Sequence, residues 1–148
     1  MLYIPFTAEN AEIATSYLSV EDADEIITKQ VNSENWNGLT DEAKQILLVQ
    51  SSFAVDGVMR YRGTKSSSTQ LLEFPRNGET VIPINIKLAV SLTAMKVSND
   101  DIFKNIKSET IAKHTTEYFE KVTIDDDVMI FLRALKATTI PVYGIEHA

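Results

Sequence analysis

The chain has 148 residues, of which 44% are hydrophobic and 24% charged, with a formal net charge of -7. That length suits one domain that buries its own core, and the absence of cysteine excludes a disulfide framework, a thiolate metal site and a cysteine nucleophile. The charge is uneven: residues 1–50 hold nine acids against Lys29 and Lys44, whereas residues 51–148 hold twelve acids and twelve bases. An acidic chain is a poor general binder of nucleic acid, because that affinity comes from Lys and Arg replacing counterions. Only a local basic patch would serve.

No apolar run approaches the about 18 residues of a membrane span, and Met1–Thr7 lacks the basic residues of a signal peptide. Weak periodicity makes residues 1–18 an N-terminal arm. Ser19 is placed to cap a helix from Val20 to about Gln30, with Glu21, Asp22 and Asp24 near the positive end of its dipole and Val20, Ala23, Ile26 and Ile27 on one side. Asn32 to Gly38 reads as a polar loop around the single tryptophan, Trp36, and Thr40 as the cap of a second helix reaching about Met59.

The segment from Arg60 to Gly78 is long for a connection and mixes Arg60, Arg62, Lys65 and Arg76 with Tyr61, Leu71, Leu72 and Phe74. Those apolar anchors, and the Pro75-Arg76-Asn77-Gly78 turn chemistry, predict an ordered loop. Ile82-Pro83 opens a third helix to about Val97, with little polar face and hence deeply buried. Ile102, Phe103 and Ile106 suggest a short helix, and the β-branched and aromatic mix from Ser108 to Lys121 a β-hairpin. Asp125, Asp126 and Asp127 precede Val128, Phe131, Leu132 and Leu135, the spacing of a last helix ending near Lys136. Residues 137–148 form an extended tail that is unusually apolar. The expected fold is therefore mainly α: a small helical bundle over residues 19–136 with a long ordered loop, a short hairpin and a C-terminal tail.

Catalysis needs a nucleophile with a base, paired acids or a metal cluster. The sequence offers none. His114 and His147 lack ligand spacing, Asp125–Asp127 lack the glycine and distal glutamate of a calcium loop and read as helix-capping acids, and the isolated glycines form no phosphate cradle. The expectation is a protein without enzymatic activity, cofactor or metal. Two binding surfaces stand out. Arg60, Tyr61, Arg62 and Arg76, with Lys65, combine charge and an aromatic face, the ingredients for single-stranded nucleic acid; the alternative is that Arg60 and Arg62 pair with acids of this or a neighbouring subunit while Tyr61 and Phe74 hold the loop to the core. Ile140, Pro141, Val142, Tyr143 and Ile145 either fold back or dock on a protein partner as an extended strand.

Several separated motifs carry a family likeness. Tyr17-Leu18-Ser19-Val20-Glu21-Asp22-Ala23-Asp24, Trp36-Asn37-Gly38-Leu39-Thr40-Asp41-Glu42-Ala43-Lys44, Arg60-Tyr61-Arg62-Gly63, Leu71-Leu72-Glu73-Phe74-Pro75-Arg76-Asn77-Gly78, Ile82-Pro83 and Ile106-Lys107-Ser108-Glu109 occur in an order and spacing that resembles the head-to-tail connector proteins of tailed bacteriophages, over Tyr17 to Leu135. Phe74 stands where that family's pattern has tryptophan, and Ile111-Ala112-Lys113 replaces a glycine-containing hairpin segment. The resemblance implies a virion protein assembled in the host cytoplasm, a structural ring, commonly twelvefold, between the portal and the tail or next connector protein. In it the C-terminal segment reaches the portal, and DNA passes through the lumen during ejection without specific binding. Some sequences of this kind carry a label of similarity to a primosomal single-stranded-DNA-binding protein, which makes a DNA-binding accessory protein the alternative function.

Overall fold

The computed structural model describes residues 6–7, 13–100, 124–133 and 139–141. Over these residues the protein is a mainly helical small domain with five helices. Helix α1 is Val20–Ile27, α2 Glu34–Asn37, α3 Asp41–Gly57, α4 Ile84–Ser98 and α5 Asp126–Arg133. Strand β1 (Met59–Tyr61) pairs antiparallel with β2 (Thr139–Pro141), Arg60 standing opposite Ile140. The fold class expected from sequence holds. The expected short helix at 102–106 and hairpin at 108–121 lie outside the described residues.

Two of the helix starts follow from side-chain capping. The Ser19 hydroxyl accepts from the Asp22 N–H at 3.1 Å and the Thr40 hydroxyl from the Ala43 N–H at 3.2 Å, each satisfying a donor that the first turn leaves unpaired. Helix α4 begins one residue past Pro83, whose carbonyl accepts from the N–H groups of Ile86 and Lys87. Proline therefore stands at the cap, where its lack of an N–H costs nothing.

Trp36 corrects one expectation, since it lies in a one-turn helix and not in a loop. Its ring is fully buried; the indole Nε1 donates to Asp24 Oδ1 at 2.8 Å. Lys44 donates to the same oxygen at 3.0 Å and holds its ammonium 5.5 Å from the ring centroid. Burial of the indole and the exit of its N–H toward a carboxylate explain why a helical turn forms in so polar a stretch.

Helix α4 is the centre of the bundle and packs against α1, α2, α3 and α5. Ile86, Ala89, Val90, Ala94 and Val97 are buried there, but Ile84 at its start is 61% exposed. Small residues at Ala89, Ser91 and Ala94 let neighbouring helices approach. At the far end Lys96 reaches Asp125 and Asp127 at 3.2 and 3.1 Å, so those acids also tie α5 to α4. Burial alone would lower the pKa of Lys96, but the two carboxylates outweigh it and hold the ammonium more firmly protonated. Tyr17 and Leu18 are fully buried, so the end of the N-terminal arm belongs to the core. No helix among the described residues is long and apolar enough to cross a membrane.

Candidate functional site

Helix α3 ends at Gly57, two residues earlier than its periodicity suggests, and the chain turns extended at Met59. Alternation along β1 then decides which side chains face out. Tyr61 points inward and is 8% exposed, while Arg60 and Arg62 on either side of it are exposed. The Tyr61 hydroxyl donates to the Val55 carbonyl at 3.0 Å, and its ring meets Phe74 edge-on at 4.8 Å. Burial raises the Tyr61 phenol well above its ordinary pKa, with Asp56 and Glu73 adding to it. Tyr61 is a wall of the core, not a stacking platform.

The two ends of the loop lie side by side. Ser66 N–H bonds to the Pro75 carbonyl at 3.0 Å and Asn77 N–H to the Thr64 carbonyl at 2.8 Å, around an antiparallel bridge between Lys65 and Arg76. Gly63 (φ 81°), Asn77 (φ 59°) and Gly78 (φ 79°) take the left-handed conformations that turn the chain at this closure. At Gly63 a side chain would also run into the amide of Asn77, which accepts from the Thr64 N–H.

Arg76 lies inside this closure, 8% exposed. Nε donates to the Arg62 carbonyl at 3.0 Å, and Nη2 to the carbonyls of Tyr61 at 3.0 Å and Gly63 at 2.7 Å. Nη1 donates to the Glu73 carbonyl at 3.1 Å and to its carboxylate at 2.9 Å. A guanidinium has five N–H donors, and all are used within the loop. This placement differs from the sequence expectation that Arg76 meets something outside.

Beneath the loop, Asp56 near the end of α3 accepts from the Tyr17 hydroxyl at 2.6 Å and from the Glu73 N–H at 3.0 Å. Tyr17 in turn accepts from the Phe74 N–H at 3.1 Å. Arm, helix and loop are thus joined at one carboxyl. Burial pushes the Asp56 carboxyl up to about 7, although the bonds from Tyr17 and Glu73 oppose the rise. Burial and the adjacent Asp56 likewise push the Tyr17 phenol up.

What remains outward is basic. Residues 57–72 contain Arg60, Arg62 and Lys65 and no acid. Lys65 stands 3.7 Å from Glu73, whereas Arg60 and Arg62 make no ion pair among the described residues. Sequence reasoning missed Asp56, Glu73 and Gly63; the signal available was the out-in-out pattern of Arg60-Tyr61-Arg62 directly after a helix. Of the apolar tail, Ile140 and Pro141 pair through their backbone with β1 of the same chain, and Val142, Tyr143 and Ile145 lie outside the described residues. Among the described residues no group of three or more His, Cys, Asp and Glu is placed to hold a metal.

A family described as "Putative DnaT-like ssDNA binding protein" matches residues 6–140. The chain belongs to that family. Comparison with curated proteins and with solved structures finds no match.

This DnaT-like membership corrects the connector reading, since the stretch from Tyr17 to Leu135 lies wholly within the matched residues. The ring between portal and tail, its protein partners, the virion location and the passive DNA lumen fall with it. The physical reason is visible in the fold. Tyr17, Trp36, Phe74, Arg76 and Ile82 are buried, and Ser19 and Thr40 are caps. Motifs of this kind specify how a bundle folds and leave its task open.

Proposed function

We propose that the protein is a single-stranded-DNA-binding accessory protein that acts by binding and not by catalysis, and that Arg60 and Arg62 carry its contact with the sugar-phosphate backbone. Membership of a family described as "Putative DnaT-like ssDNA binding protein" supports this activity. One observation supports the place: these two arginines stand exposed on a stretch with no acid, on a chain whose net charge is -7. Elsewhere the acidic surface repels a polyanion, so a strand is guided to this loop. Guanidinium groups suit phosphate because they donate paired N–H bonds to its oxygens. Lys65 joins them as a third cation once its distant pairing with Glu73 is given up.

The described aromatic rings are buried or half-buried, so the contact proposed here is electrostatic and blind to base sequence. The backbone pairing of β2 with β1 gives the tail strand a supporting role, bracing the strand that presents Arg60. The test is fluorescence anisotropy of a labelled oligothymidylate against salt. Each phosphate neutralised on a single strand contributes about -0.7 to the slope of log K against log salt, so Arg60, Arg62 and Lys65 together predict about -2.1. Arg60→Glu with Arg62→Glu removes binding while leaving helix content unchanged. A double variant that binds like the parent chain excludes this loop as the site; no binding by the parent at low salt excludes the function.

A further inference from the structure

We infer that Arg76 is the positioning residue of this site: it sets the spacing and direction of Arg60 and Arg62 without itself touching DNA. The inference rests on the DNA-binding reading above. A loop has no regular ladder to fix its backbone, so something else must hold the carbonyls that helices and sheets would pair. Here one side chain does so. Its Nε and Nη2 gather the carbonyls of three successive residues, Tyr61, Arg62 and Gly63, while Nη1 holds both the carbonyl and the carboxylate of Glu73. Both peptides that flank Arg62, Tyr61–Arg62 before it and Arg62–Gly63 after it, are therefore anchored from below, and Arg60 is set through its neighbour Tyr61. With Tyr61 also fixed by its hydroxyl to Val55, alternation leaves Arg60 and Arg62 no choice but the same outward side.

No other residue type meets this demand. Lysine has three donors on one nitrogen and no fixed fork, so it cannot span carbonyls from both ends of the loop. With every donor engaged, Arg76 has none for a phosphate oxygen, which separates its role from that of the two exposed arginines. Gly63 is the second point of control. Its carbonyl is the nearest acceptor of Arg76, at 2.7 Å, and its φ of 81° is open to glycine but strained for alanine. A methyl there also meets the Asn77 amide. Gly63→Ala thus disturbs the cradle while Arg76 and the core stay intact.

The experiment measures oligothymidylate affinity across a salt series for the parent chain, Arg76→Lys, Gly63→Ala and Arg62→Ala, with circular dichroism to establish that each is folded. A positioning role predicts that Arg76→Lys and Gly63→Ala each weaken binding about tenfold with the parent's salt slope, because the same phosphates are met by misdirected arginines. Arg62→Ala lowers the slope by about 0.7, one phosphate contact. Arg76→Gln, added to the series because unlike lysine it removes the charge, makes Arg76 a direct contact if it lowers the slope by about 0.7, and that overturns the inference. So does affinity within twofold of the parent in folded Arg76→Lys or Gly63→Ala, which makes the cradle merely structural. If Arg76→Lys does not fold, Gly63→Ala decides alone. Failure of the parent chain to bind overturns the functional reading itself, an outcome distinct from indifferent variants of a chain that binds.

Discussion

Among the described residues, the helical bundle and the basic loop each bury a cation, Lys44 in one and Arg76 in the other, and they satisfy it by opposite means. In the bundle, helices consume their own carbonyls, so Lys44 depends on side chains: the Asp24 carboxylate at 3.0 Å and the face of Trp36. In the loop, carbonyls are in surplus, and Arg76 takes four of them together with one carboxylate. A buried lysine here is a guest of finished secondary structure. The buried arginine replaces secondary structure that the loop lacks. The two regions therefore differ in what the loss of the cation exposes, and that difference orders the expected effects.

The largest belongs to Arg76→Ala, which leaves four loop carbonyls without a donor and Glu73 without its nearest cation. Removing one side of such a buried arrangement costs about 3 kcal/mol. Urea denaturation measures the global loss, and amide exchange should locate it at Ser66 and Asn77, whose N–H groups bridge the closure. A loss spread evenly over α3 and α4 would erase the distinction between the regions.

Second is the carboxyl that joins them. The folded chain holds the Asp56 proton up to about pH 7, against 3.8 for the free side chain. Between those values the folded state binds more protons than the unfolded state, so this group's contribution to stability falls as pH rises from about 4 through about 7. The dependence should be missing from the unfolding curves of Asp56→Asn over the same range. An unchanged pH profile in that variant assigns the slope to other groups.

Lys44→Met comes third, at about 1 kcal/mol in chemical denaturation. Asp24 is 36% exposed and keeps the indole N–H, so its carboxylate turns to water when the ammonium is gone. A cost equal to that of Arg76→Ala would remove the contrast drawn here. The smallest effects are expected at Ser51 and Ser91, buried on α3 and α4 with hydroxyls that have no hydrogen-bond partner among the described residues. Alanine at either should leave stability within about 0.5 kcal/mol or raise it, because no bond is lost and a buried polar group is.

The sequence made the bundle legible where one residue acts alone. Ser19 and Thr40 cap as their types demand, and the spacing after Asp125–Asp127 picks out Val128 and Leu132 as buried residues of α5. It was less informative where an outcome depends on distant partners. Trp36 sits in a helical turn because Asp24 and Lys44 receive it, twelve residues before and eight after. Arg76 faces inward because residues 61–63 bring their carbonyls to it, and composition cannot reveal on which side of a loop a charge lies. The mistaken connector resemblance has a related cause: its motifs are mostly caps and core side chains, which constrain packing strongly and ligand choice hardly at all.

One consequence of the Trp36 corner is optical. The chain has a single tryptophan, fully enclosed between an acid and an ammonium and remote in sequence from Arg60 and Arg62. Its emission therefore watches the bundle that encloses it, through Asp24 of α1 and Lys44 of α3. A dye on the oligonucleotide and the protein's own indole form two separate channels, so a variant that changes the first and leaves the second alone has altered recognition without loosening the fold.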